Sequence, residues 1–336
     1  MFRRAFLVLK RVGLNTIDIC KTLFKVMIPV SIVMKILTEL GLISYIGDIL
    51  SPVMSLAGLP GAYGIVWAAA LCTNVYAAII VFLSIFPDEP ITKAQITVLS
   101  IMVLTSHNVP IECGIDTRVG IKLKVSVIYK LVMGVLAGIV FGFIFSFFNL
   151  YNTAPQIFLT STAPAEESLL SWALGELRLY FTIVVIIFFL NIIIKILERS
   201  GALIILIKIL RPVLKHIGIG RNAIPVTIIG TVLGYAYAGG FFIKESKAGK
   251  IKKKEFLYTV FFVTSHHAVI EDNILMISIG GAAFPIIAGR FLFTYAVCMI
   301  IYRVTRNMKE ETFLKFFFQR KVLEKDSASS PPGSPG

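Results

Sequence analysis

Apolar runs as long as a bilayer is thick leave this chain few ways to fold. Several stretches, among them 123–148 and 172–199, approach or exceed the roughly 20 apolar residues that span a hydrocarbon core. In lipid every backbone N–H and C=O must find its partner within the protein, so only helices and closed barrels cross. The runs are continuously apolar rather than alternating, which disfavours a barrel. The sequence therefore predicts an all-α, polytopic integral membrane protein. Composition agrees: 57% of the 336 residues are hydrophobic and 15% charged, against about a quarter charged in soluble domains. The net charge of +14 would suggest nucleic acid if the chain were soluble. In a membrane protein it reads as orientation, because Lys and Arg collect in cytoplasmic loops and meet anionic lipid there. Membrane lipid is thus an expected partner and nucleic acid is not. Cys20, Cys72, Cys113 and Cys298 are scattered, without a CxxC pair or a disulfide framework. The basic start Met1-Phe2-Arg3-Arg4 leads into an apolar stretch interrupted by Lys10-Arg11, unlike a signal peptide.

The chain repeats itself. Slid by 160 residues, Lys35-Ile36-Leu37 falls on Lys195-Ile196-Leu197, Gly41 on Gly201, Ile49-Leu50 on Ile209-Leu210, Pro52-Val53 on Pro212-Val213 and Gly58 on Gly218. That makes nine identities in 24 positions, where chance in so apolar a chain gives roughly two or three. With the offset changed by one, Thr105-Ser106-His107 falls on Thr264-Ser265-His266, and Ile111-Glu112 on Ile270-Glu271. Both halves carry T-S-H-x-x-x-I-E. Shared membrane composition could match Ile and Leu, but not Pro, Gly, His and Glu in register.

Charge predicts that the halves are inverted. The segment to Lys25 and the segment from Arg303 are both basic, so both termini read as cytoplasmic. The connector at 151–171 holds Glu166 and Glu167 and no Lys or Arg, so it reads as external. The acidic turn Pro87-Asp88-Glu89-Pro90 faces a counterpart at 244–254 with six lysines. A repeat that starts on one side and ends on the other crosses an odd number of times, as in inverted-repeat transporters. Five crossings are expected in each: 14–40, 41–59, 61–86, 91–115 and 123–148, then 172–199, 201–217, 221–243, 255–279 and 284–302. The second of each set carries polar residues that would also suit a re-entrant or interfacial helix, and Lys215 and Arg221 fall on the predicted outer side, against the charge rule. The expected organisation is a first repeat at 1–150, the connector at 151–171, a second repeat at 172–308, and at 309–336 a cytoplasmic amphipathic segment with a Ser/Pro/Gly-rich, disordered tail. The localisation expected is the plasma (inner) membrane.

Ionisable residues inside a membrane segment cost several kcal/mol unless paired or facing water, and so mark functional sites. His107, His266 and His267 fall in the two motif copies, with Glu112 and Glu271-Asp272-Asn273. Pro110 lies between His107 and Glu112 and should interrupt the helix, freeing backbone groups for a ligand; the second copy has Val269 there, leaving the irregularity to Asp272-Asn273. Asn74 and Tyr76 in Cys72-Thr73-Asn74-Val75-Tyr76, with Tyr235 and Tyr237 in the corresponding Gly234-Tyr235-Ala236-Tyr237 stretch, lie mid-segment. The candidate substrate-binding set is Asn74, Tyr76, Ser106, His107, Asn108, Glu112, Tyr235, Tyr237, Ser265, His266, His267, Glu271, Asp272 and Asn273. Imidazole beside carboxylate suits a proton-linked site. An alternative set, Cys72, His107, Glu112, His266, His267 and Glu271, suits a divalent metal, and a purely structural network is the plainest alternative. No HExxH, GxSxG or Walker sequence occurs, so no catalytic residue and no cofactor are expected.

With C-T-N-V-Y-A-A in one copy and G-Y-A-Y-A-G-G in the other, the chain resembles over about 14–302 the nucleoside-recognition, or Gate, domain. That domain occurs in spore maturation membrane proteins and ferrous iron transporter membrane parts, and is related to concentrative nucleoside transporters. Cys72-Thr73-Asn74-Val75-Tyr76-Ala77 is similar to the Gly-Cys-Asn-Val-Pro-Ala stretch of the iron transporter gates, with Tyr76 in the proline's place. The resemblance implies a transporter-like membrane protein; with the two motif copies, the function expected is a permease for a small polar solute or nucleoside through a midplane site built from both repeats, with a homo-oligomer as one arrangement. A divalent metal permease, or a non-transporting component like the spore maturation proteins, are the alternatives it allows.

Overall fold

The computed structural model describes residues 2–159 and 168–319, with side chains except at 2–11, 194, 197–199, 202, 203, 236, 237 and 247. The described residues are mostly helical, joined by turns and irregular stretches, and the β structure among them is an isolated bridge between Ile121 and Phe318. All ten expected segments are present. The first repeat holds α1 (Phe2–Glu39), α2 (Leu42–Leu56), the pair α3 (Tyr63–Cys72) and α4 (Val75–Ile85), the pair α5 (Lys93–Ser106) and α6 (Val109–Arg118), and α7 (Leu123–Phe147). The second holds α8 (Leu169–Ser200), α9 (Ala202–His216), the pair α10 (Ile224–Leu233) and α11 (Tyr235–Ala248), the pair α12 (Lys253–Ser265) and α13 (Glu271–Ser278), and a π-helical turn, Pro285–Gly289, running into α14 (Arg290–Thr305). The amphipathic α15 (Glu310–Phe317) follows and buries Phe313, Leu314 and Phe317. Glu166, Glu167 and the expected tail beyond 319 lie outside the described residues. The duplication reaches the backbone: Gly41 and Gly201, Gly58 and Gly218, and Gly120 and Gly280 all take positive φ, from 64° to 106°, a region open to glycine at little cost.

The third segment of each repeat corrects an expectation. Instead of crossing at 61–86 and 221–243, each is a helical hairpin. Tyr63, at the start of α3, donates its hydroxyl to the carbonyl of Glu89 beyond α4, and its ring lies 6.0 Å from that of Phe82. Asn222 Nδ2, before α10, donates to the Lys250 carbonyl beyond α11 at 3.1 Å. Arms of 10 to 14 residues are about 15–21 Å long, short of the ~30 Å core. Nearly every residue of α4 is buried, so the arm buries its apolar surface against protein on all sides. At the first tip Asn74, in extended backbone, caps α4 by accepting the Ala77 N–H at 3.0 Å. At the second, Gly234 opens α11 with φ 99°.

The second segments also fall short of crossing. After Gly41 the chain bends by 99° into α2, whose 15 residues make about 22 Å. Both α2 and α9 leave apolar side chains exposed, Tyr45 and Ile49 in one and Ile205 and Ile209 in the other, as a helix on or partly in the interface does. By length and composition Lys93–Arg118, Leu123–Phe147, Leu169–Ile193 and Pro285–Thr305 suffice to cross a membrane, and Val12–Glu39 with Leu42–Leu56 passes the same test as a bent pair.

Packing divides the chain into two compact units that cut across the repeats. Unit 1 takes the residues up to 108, 133–202 and 268–290; unit 2 takes 109–132, 203–267 and the residues from 291. In unit 1 the α3–α4 hairpin packs among α1, α2 and α5, while α13, from the second repeat, lies against α5 and the π turn. There α1 and α8 are joined by polar groups: Ser31 Oγ donates to Glu176 Oε2 at 2.7 Å, and Asn191 Nδ2 to Thr16 Oγ1 at 3.1 Å. In unit 2 the α10–α11 hairpin packs on α12 and on α6, from the first repeat.

Candidate functional site

In unit 1, three elements bring polar side chains together. Helix α5 ends at Ser106, His107 is extended, and Asn108 takes φ 56°. The chain restarts as α6 with Pro110 in its first turn, where a missing N–H costs nothing. The interruption is thus as Pro110 predicts, displaced just upstream of it. Asn108 N–H donates to the Ala70 carbonyl of α3 at 2.9 Å, tying the break to the hairpin. Ser106 Oγ accepts from Trp67 Nε1 at 2.8 Å and donates to the Met102 carbonyl. His107 Nδ1 lies 3.1 Å from the Val103 carbonyl, and its Nε2 lies 3.6 Å from Asp272 Oδ2 at the start of α13. Beside it, Tyr76 donates its hydroxyl to Glu271 Oε1 at 2.5 Å. Arg290 is wholly buried, within electrostatic reach of Asp272. Asn273 is buried on α13, whereas Cys72, at the hairpin tip, is exposed.

Unit 2 holds a second cluster. Its helix α12 ends at Ser265, and the chain turns through His266 and His267 without a proline in register, so the interruption runs over 266–270. Glu112, 1% exposed, accepts from Thr264 Oγ1 at 2.7 Å, pairs with Lys130 Nζ at 2.9 Å and lies 3.4 Å from His267 Nε2. His267 Nδ1 faces the Val263 carbonyl at 3.1 Å. Tyr235, at the hairpin tip, donates its hydroxyl to Asp116 Oδ1. Tyr129 stacks on Phe261, donates to that residue's carbonyl and accepts from Ser265 Oγ at 3.0 Å. His266 packs its ring 5.4 Å from that of Phe291. The side chain of Tyr237 lies outside the described residues.

The two clusters have the same inventory: a histidine, two carboxylates, a tyrosine from a hairpin and one buried cation. The register explains why. Tyr76 and Tyr235 are 159 residues apart, the offset of the T-S-H motifs, and Lys130 and Arg290 are 160 apart. Each cluster pairs a histidine of one repeat with a carboxylate of the other, His107 with Asp272 and Glu112 with His267. A buried carboxylate without such partners would cost several kcal/mol. Asn74, at the tip of the first hairpin, is engaged as a helix cap. For the metal alternative, each unit offers a His–carboxylate pair. Sequence reasoning missed Asp116, Tyr129, Lys130 and Arg290. The signal for the cations was present, since each is an ionisable residue inside an apolar segment, whereas Asp116 looks like part of a charged loop ending in Arg118.

The chain is 26% identical over 292 residues, covering 86% of its length and 92% of the relative's, to a Bacillus subtilis (strain 168) protein described as an uncharacterized membrane protein, YvoD. No protein-family model matches the chain, and no solved structure matches it. The all-helical fold, its apolar spans and this relative agree on a membrane protein.

Proposed function

We propose that the chain is a Gate-type permease of the plasma membrane, moving a small polar solute or nucleoside, with both termini cytoplasmic and no catalytic residue. The observation that carries this reading is the duplicated buried cluster at the breaks of the interrupted helices, where unwound backbone and half-helix ends meet ionisable side chains. Transporters bind substrate and coupling ion at such places. Counting only α1, α5–α6 and α7 as crossings, with α8, α12–α13 and α14 as their copies, gives three per repeat. Three is odd, so the inversion read from charge survives the loss of the second and third crossings. His107 against Asp272 and His267 against Glu112 can each take up a proton and would serve as coupling groups.

Ligand-dependent thermal stabilisation of the purified protein tests this, since a ligand bound to the folded state raises apparent stability. Nucleosides and divalent metals are screened against wild type, Glu112→Gln and Glu271→Gln. Stabilisation by nucleosides, lost in both variants, is the expected result. Stabilisation by divalent cations alone would favour the metal permease, for which the two His–carboxylate pairs speak. No stabilisation by any ligand, with both variants merely less stable, would make the clusters a structural network and the protein a non-transporting component.

A further inference from the structure

Two cavities occupy corresponding places in the repeats and differ in charge. One, in unit 1, has a volume of about 400 Å³ and lies beside Gly58, Gln95 and Ser146. The other, in unit 2, has about 560 Å³ and lies beside Gly218, Glu255 and Arg306. Each of these residues is 160 positions from its counterpart, so the cavities are two copies of one feature of the fold. Among the described residues the unit 1 copy is lined by no ionisable side chain. The unit 2 copy is lined by Lys215, Arg221, Lys252, Lys254 and Arg306, against Glu255 and Glu310.

The five cations are not needed to build the cavity. In register they stand where the first repeat has Ser55, Gly61, Thr92, Ala94 and Ser146, and the hairpin forms there without them. Lys254 is engaged locally, donating to the carbonyls of Arg306 at 3.1 Å and Met308 at 2.6 Å. Among the described residues Lys215, Arg221, Lys252 and Arg306 form no ion pair within 4.0 Å. These four are exposed to solvent but converge on one concavity, where their like charges repel and focus a positive potential that an anion relieves. The cations come from four separate stretches of chain: the end of α9, the start of the hairpin, the Lys-rich turn and the end of α14. The last two read as cytoplasmic from charge alone, which puts the cavity at the level of the headgroups.

We propose that the unit 2 cavity binds a phosphate-bearing anion, the headgroup of an anionic membrane lipid. It is tested on the full chain in phosphatidylcholine nanodiscs, with and without phosphatidylglycerol, by native mass spectrometry of retained lipid and by thermal unfolding. The cavity pair Lys252→Thr with Arg306→Ser installs the residues of the uncharged copy, so the fold should tolerate it. The control pair Arg118→Ser with Lys124→Thr removes the same charge from exposed positions outside the cavity. Retained phosphatidylglycerol should fall about thirty-fold in the cavity pair, the equivalent of about 1 kcal/mol for each cation withdrawn from the bound headgroup, and stay within about two-fold in the control, whose charges do not line the cavity. Inorganic phosphate, added in phosphatidylcholine alone, separates the sources: stabilisation of wild type and not of the cavity pair would assign the phosphate to solution instead of lipid. Equal loss in both pairs overturns the proposal. So does an absence of any preference for phosphatidylglycerol together with no effect of phosphate.

Discussion

Lys130 is 1% exposed and Arg290 fully enclosed, so the stakes at single residues are electrostatic. Removing one partner of a buried ion pair leaves the other uncompensated and costs about 3–5 kcal/mol, whereas removing both together is often nearly neutral. Lys130→Met should therefore lower the thermal midpoint of the purified protein strongly, and the double variant Glu112→Gln with Lys130→Met should recover most of the loss. Equal destabilisation in the single and double variants would mean that Thr264 and His267 hold the Glu112 charge without Lys130. At this scale the motif residues were legible, since an imidazole or carboxylate in an apolar run has few bland explanations. Their partners were not. Thr264 and Glu112 are 152 residues apart, and Tyr76 and Glu271 are 195 apart, and no local pattern encodes a pairing of that span.

The hairpins decide the behaviour of whole elements. Because the ends of the α10–α11 hairpin meet, Asn222→Cys with Lys250→Cys, in a background with the native cysteines replaced, should form a disulfide on mild oxidation. A continuous crossing would hold those positions about 30 Å or more apart and give no cross-link. Close helix approach makes a second prediction. A Cβ at Gly142 on α7 would come within 2.5 Å of the Ala57 carbonyl oxygen at the end of α2, whereas one at Gly114 on α6 would meet nothing within 4 Å. Gly142→Ala should thus destabilise by about 1–3 kcal/mol through overpacking, and Gly114→Ala should raise stability by up to about 1 kcal/mol through helix propensity, both read by thermal unfolding. Most of the segments could be read from the sequence to within a few residues of their ends, though α1 begins at Phe2 where 14 was expected. Their reversal could not, because an arm that is apolar all round has no face to say which way the next arm runs.

For the whole molecule the hairpins remove a conflict. If α9 and then α10–α11 crossed, Lys215 and Arg221 would lie outside, against the charge rule. Both instead line one cavity with Lys252, Lys254 and Arg306, in keeping with a cytoplasmic side. Single cysteines at Lys215 and Lys252 should accordingly be labelled by an impermeant maleimide only from the cytoplasmic face, and those at Asp88 and Asn152 only from outside. Labelling of positions 215 and 252 from opposite faces would restore the crossing at α9.

The sequence by itself determined the solvent, the helices, the duplication and the polar residues that matter, because lipid forces backbone groups to pair locally and leaves unexplained polarity conspicuous. Only the tertiary structure decided which segments turn back and which histidine meets which carboxylate. It also decided that the packing units cut across the repeats. Those outcomes depend on which apolar surfaces fit together, and apolar burial is non-directional: many arrangements bury the same area, and packing selects among them.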